Sequence, residues 1–224
     1  EKKQDTAEKK KAKENAMMGG TVALSIVLAV AIFMILPYYL SVLCSRFIAS
    51  DMVVAVIEGI LRLAIFIGYI LLISRMKEIQ RVFMYHGAEH KTINCLEHAE
   101  DLTPENIKKY SRLHKRCGTS FLLIVMIVSI VVFMFIRVDS LVWKFVLRIL
   151  LVPVVAGISY EFIRLAGRSD SKIVNTLSKP GLYLQYFTTR EPDEEMMEVA
   201  IKAVEGVFDW REYLRAMHNG ELED

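Results

Sequence analysis

Charge is missing from four long stretches of this chain, and that absence decides its class. Residues 18–44 contain no Asp, Glu, Lys or Arg, and 52–74, 119–138 and 141–160 contain very few. An ordinary soluble globule or a disordered chain spreads its charge more evenly. Disulfides are not the framework either, because only three cysteines are present, Cys44, Cys95 and Cys117, and a paired scaffold needs an even set. A strong overall charge is also lacking. The formal net charge is +2, so nothing points to nucleic acid. No internal repeat occurs, and no small-residue cleavage site follows the first apolar run, which is too long and too internal for a signal peptide. The first residue is Glu rather than Met, so a preceding stretch is expected.

What is present is apolar residue in blocks: 54% of 224 residues, with a mean hydropathy of +0.34. A crossing helix needs about 20 apolar residues for roughly 30 Å of hydrocarbon. The blocks therefore predict an all-α, multi-pass membrane protein with four spans, near 18–40, 52–74, 119–138 and 141–160. The last is the weakest, because it carries Lys144, Arg148 and Pro153. The expected organisation is a basic leader (1–17), a transmembrane hairpin (18–74), a His/Cys loop (75–118), a second hairpin (119–160) and a tail with an amphipathic helix (161–224). Six lysines in 1–13 and nine basic residues in 75–118 contrast with Arg46 alone in 41–51 and Arg137 alone in the 137–140 turn. By the excess of Lys and Arg on the cytoplasmic side, both termini and the 75–118 loop are expected in the cytosol.

The loop carries the chemistry. Four of the five histidines lie between 86 and 114. His86-Gly87-Ala88-Glu89-His90 fits H-x-x-E-H, which on a helix sets two imidazoles on one face about 6 Å apart, close enough to share zinc. Glu89 then stands where a general base is needed. Thr103-Pro104-Glu105 predicts a helix start, running to about 114. His114 and Cys117 follow, three residues apart, with Lys115 and Arg116 to favour a thiolate. His86, His90, His114 and Cys117 are thus the expected metal ligands, with Glu161 a remote carboxylate candidate. Glu89 is the expected base, and Lys91 or Arg116 would steady negative charge. Inside the second span, Glu58 and Arg62 are spaced for a helical ion pair.

In the tail, Pro180-Gly181 is expected to break structure and Glu191-Pro192-Asp193 to start a helix. Met197, Ala200, Ile201, Val204, Val207 and Phe208 form an apolar stripe expected to pack on the loop, or else on a partner or lipid.

YHGAEHKTINCLEH, LTPEN, HKRCGTSFL and PGLYLQYFTTREPDEEMMEVAIKA together resemble the bacterial YqhQ-like membrane proteins, a family of unknown function, over about 53–208. The matching positions include His86, Gly87, Glu89, His90, Lys91, Asn94, Cys95, His114, Cys117, Gly118, Thr119 and Glu161, then Pro180, Gly181, Gln185, Thr188, Thr189, Glu191 and Pro192. The resemblance implies a multi-pass inner-membrane protein, at most a metal-dependent enzyme with no assigned reaction. The family's glycine-rich GGQAVMEGV segment is absent, and Lys115 stands where proline is usual. Two function classes follow: metal-assisted hydrolysis, or a non-enzymatic adaptor whose cytosolic cap or C-terminal helix binds a protein partner. A transporter has little support from one intramembrane pair.

Overall fold

The computed structural model describes residues 2–136, 138, 140–169 and 171–220. Helix is the only regular structure among them. In one unit, α1 (Lys2–Val30), a π-helical turn (Ala31–Ile35) and α2 (Leu36–Ser45) follow one another. The wide turn falls just ahead of Pro37, whose ring crowds the carbonyl one turn back and which donates no hydrogen bond. Leu36 N–H accordingly bonds Ala31 O, five residues away. After a short turn comes α3 (Asp51–Ile73). Glu58 and Arg62 pair on it at 2.9 Å as expected, with Glu58 buried. Phe33 meets Phe66 edge-on at 6.5 Å within the same unit.

The second unit takes in Gly68–Val132 and the chain from Val138 onward. It contains α4 (Lys77–Glu97), α5 (Pro104–Ile107), α6 (Gly118–Phe133), α7 (Leu141–Arg168), α8 (Lys172–Thr188), α9 (Glu194–Glu205) and α10 (Trp210–Asn219).

Among the described residues, three helices, not four, are long and apolar enough to cross a membrane: Lys13–Ser45, Asp51–Ile73 and Val142–Arg168. The expected third span is the one that falls short. Its apolar run reaches 138, but α6 stops at Phe133, where Ile136 N–H closes a turn on Phe133 O. Sixteen residues rise only about 24 Å at 1.5 Å each. Arg137, counted in the outer turn, lies outside the described residues. The stretch that looked weakest, by contrast, forms a 28-residue helix running through Pro153 to Arg168.

Helices α4, α5, α9 and α10 make a small helical cap. Its core joins Cys95 and Leu96 of α4 to Leu102, Ile107, Met197, Trp210 and Leu214. Met197, Ile201 and Val204 of the tail stripe pack there as expected, but Val207 is 82% exposed beyond the end of α9. Asp193 caps α9 by accepting Met196 N–H at 2.9 Å, and Thr103 caps α5 through Asn106 N–H at 3.3 Å.

Two local expectations fail. The helix predicted over 104–114 ends at Ile107, because side chains capture the carbonyls that a longer helix would use. Lys91 Nζ binds Lys108 O at 3.1 Å, and Asn94 Nδ2 binds Ser111 O at 2.7 Å. Pro180-Gly181 does not break the chain either, since α8 runs through both. Gly181 allows the close packing there: a Cβ at that position would lie 2.8 Å from the Ser120 side chain of α6.

Candidate metal centre

Helix α4 sets His86 and His90 one turn apart, with ring centroids 4.3 Å from each other. Each ring is oriented through Nδ1 by a backbone carbonyl, His86 on Thr188 O at 2.8 Å and His90 on Arg112 O at 2.7 Å. A carbonyl only accepts, so Nδ1 carries the proton and, in the neutral ring, Nε2 is left with its lone pair. This is how ligating imidazoles are commonly held. The irregular segment before α6 supplies one carbonyl, and the last residue of α8, where the chain turns into 189–190, supplies the other. The second fits because of Gly87: a Cβ there would run into the Arg190 carbonyl oxygen, and Arg190 N–H bonds Phe83 O at 2.8 Å alongside.

Cys117 immediately precedes α6, where its sulfur accepts Thr119 N–H at 3.3 Å. The same sulfur is 3.3 Å from His86 Nε2. Among the described residues, His86, His90 and Cys117 form a group that could hold a metal ion, with one donor atom from each within 4.8 Å of the others. Zinc bonds of about 2.0–2.3 Å to nitrogen and sulfur fit a cluster of this size after small side-chain shifts.

The electrostatics favour a thiolate. Burial raises the Cys117 thiol, but hydrogen bonds from His86 and His90, the charge of His90 and the Thr119 N–H outweigh it and bring the pKa down to about 5. For His86, burial lowers the pKa, yet the bonds to Cys117 and the Thr188 carbonyl raise it above the ordinary value.

His114 does not join the three. Its Nε2 lies 3.1 Å from the Glu97 carboxylate, and its Nδ1 accepts Arg116 N–H at 3.3 Å, so both ring nitrogens are committed. Arg116 also pairs with Glu97. Burial would raise the Glu97 carboxyl, but His114 and Arg116 hold it at about 2. Lys91 points elsewhere. It is buried and pairs with Glu191 at 3.0 Å, and Arg112 meets the same carboxylate at 3.4 Å. Glu161 is exposed beside Arg164 at 3.5 Å and is not in the ligand group.

A cavity of about 280 Å³ opens on the cluster, with Glu89, Ile93, Glu97, His114 and Arg116 in its walls. Glu89 is exposed and stands on this cavity as expected.

One positioning residue has no role assigned to it from the sequence. Gln185, fully buried on α8, accepts His114 N–H at 2.8 Å and donates to His114 O at 2.7 Å and Ser120 Oγ at 2.6 Å. Its signal in the sequence is its place among the positions that match the YqhQ-like family.

Comparison with known proteins matches residues 1–210 to a family described as "Protein of unknown function (DUF1385)". The chain is 40% identical over 181 residues to "Uncharacterized protein YqhQ" of Bacillus subtilis (strain 168). The match covers 80% of this chain and 57% of that protein's length. No solved structure matches.

Proposed function

The chain belongs to the DUF1385 family of proteins of unknown function, and from that premise we propose a multi-pass bacterial inner-membrane protein whose cap holds a catalytic divalent ion, zinc, for metal-assisted hydrolysis. One observation carries this reading: two carbonyl-anchored imidazoles and a cysteine with a depressed pKa bring their donor atoms within 4.8 Å at the mouth of a cavity. Three protein ligands leave a fourth position open, the pattern of catalytic rather than structural zinc. Zinc held there would supply a polarised water with a pKa near 7. Glu89, outside the ligand set and exposed on the cavity, would serve there as the proton acceptor. Arg116 on the cavity wall steadies developing negative charge, a role that Lys91, turned toward Glu191, does not have.

α6 starts beside Cys117, and α7 returns until Gly167 touches the Arg116 side chain. The start of α6 and the end of α7 therefore both lie beside the cap. By the excess of Lys and Arg in the 75–118 loop, that side faces the cytosol.

The test is replacement of Glu89 by Gln in the full chain. Hydrolytic activity, or rescue of a deletion phenotype, should fall while metal content and protein level stay normal. Full rescue would favour an adaptor instead, a reading supported by exposed Val199, Val207 and Phe208 on the outside of the cap.

A further inference from the structure

Helix α8 has two faces with different tasks. Ser178, Gly181, Leu184, Gln185 and Thr188 are buried; the Thr188 carbonyl orients His86, and Gln185 holds the His114 peptide in the segment that leads to Cys117. The other side leaves Tyr183, Tyr186 and Phe187 exposed, Tyr183 at 62%, and in the first turns Ile173 and Leu177, in line with Gly181 and Leu184, are exposed as well, Ile173 at 72%. Tyr183 and Tyr186 stack there at 6.4 Å. Residues 171–190 contain Lys172, Lys179 and Arg190 and no Asp or Glu. The helix also starts close to the end of a membrane-length helix. Three residues separate Arg168 of α7 from Lys172, a reach of at most about 15 Å at 3.8 Å per step.

We propose that α8 lies in the headgroup layer of the membrane, with its aromatic and aliphatic side in the upper acyl region and its lysines on anionic lipid phosphates. Each feature has a physical counterpart at that depth. Tyrosine is enriched at membrane–water interfaces because its ring and hydroxyl prefer different media. Lysine stems lie along apolar surface while their ammonium groups reach phosphate. A helix with an apolar side and only basic charge suits an anionic lipid surface better than an acidic or mixed-charge protein. The inference rests on the reading that α7 crosses the membrane, and it extends that reading to the site. The residues that hold His86 and the His114 peptide would then sit one helix diameter from the headgroups.

The experiment uses the full chain in nanodiscs of phosphatidylglycerol and phosphatidylcholine brominated in the upper acyl chains, with Trp143→Phe as parent. Trp210, buried in the cap core, is the constant background. Leu150→Trp reports the span, Tyr183→Trp or Phe187→Trp reports α8, and Val207→Trp reports the outer cap. With the apolar side about 5–10 Å into the headgroup and acyl boundary, the α8 tryptophan should be quenched about twofold, and Val207→Trp should not be. Lys172→Gln with Lys179→Gln should weaken that quenching. If Leu150→Trp is quenched but both α8 reporters are not, the inference falls and the crossing stands. If no reporter is quenched, the membrane reading itself falls, and the inference with it. α8 reporters shielded from both bromolipid and aqueous quencher would mean that a protein covers the face, which also overturns the proposal.

Discussion

Cys117 Sγ stands 3.3 Å from His86 Nε2, although 31 residues separate them. α4 supplies the imidazole, and the turn into α6 supplies the sulfur at a helix N-terminus, so each stabilises the other's charged form. In the metal-free protein the Cys117 thiol should titrate near pH 5, against about 11 for Cys95, whose burial raises it. The folded value lies below the ordinary 9.0. The thiolate's contribution to stability is therefore complete above pH 9, shrinks as pH falls, and is gone below about 5. Thiolate absorbance against pH, with Cys117→Ser as the blank, checks the midpoint; a midpoint near 9 contradicts the assignment.

Gly87→Ala should destabilise the cap by about 1–3 kcal/mol, because the new methyl pushes away the Arg190 carbonyl and with it the Thr188 carbonyl that orients His86. Thermal unfolding and metal affinity should fall together. Unchanged unfolding would mean that this close contact carries no energy.

Gln185→Leu should leave the His114 peptide group and Ser120 without their buried partner. Leaving these buried groups unpaired costs about 1–3 kcal/mol, and loosening the segment that leads into Cys117 should weaken metal binding with it. Metal titration of the purified variant measures this, and wild-type affinity would remove Gln185 from the site's support.

Cys95 and Cys117 are both buried, so their failure to react from outside the cell would say nothing about sidedness. Two exposed positions are better reporters: Phe47, 89% exposed between α2 and α3, and Val207 on the cap. In intact cells an impermeant maleimide should label Phe47→Cys and spare Val207→Cys. The reverse pattern would invert the topology.

How much could be read from the sequence follows how local each determinant is. H-x-x-E-H is a helix-spacing motif, so His86, Glu89 and His90 emerge from the sequence alone. Caps such as Thr103 and Asp193 act within four residues and are legible for the same reason. The fate of His114 is not local. Glu97 takes its ring, and the two are neighbours only because Asn94, Lys91 and Gln185 tie the 108–117 segment down. The same ties shorten α5. The length of α6 was misjudged because apolarity measures which residues tolerate lipid, not where the backbone turns. Pro180 looked like a breaker because the contact of Gly181 with Ser120, which compensates for it, is made by a distant part of the chain.

Metal content of the purified chain tests the central claim most directly. Elemental analysis after exchange into metal-free buffer should find about one zinc per chain in the wild type, as expected for one ligand group. His90→Ala and Cys117→Ser should each lower that content, and the double variant should hold none, while His114→Ala keeps its metal. No metal in the wild type, or full stoichiometric metal in the His90→Ala/Cys117→Ser double variant, would contradict the account.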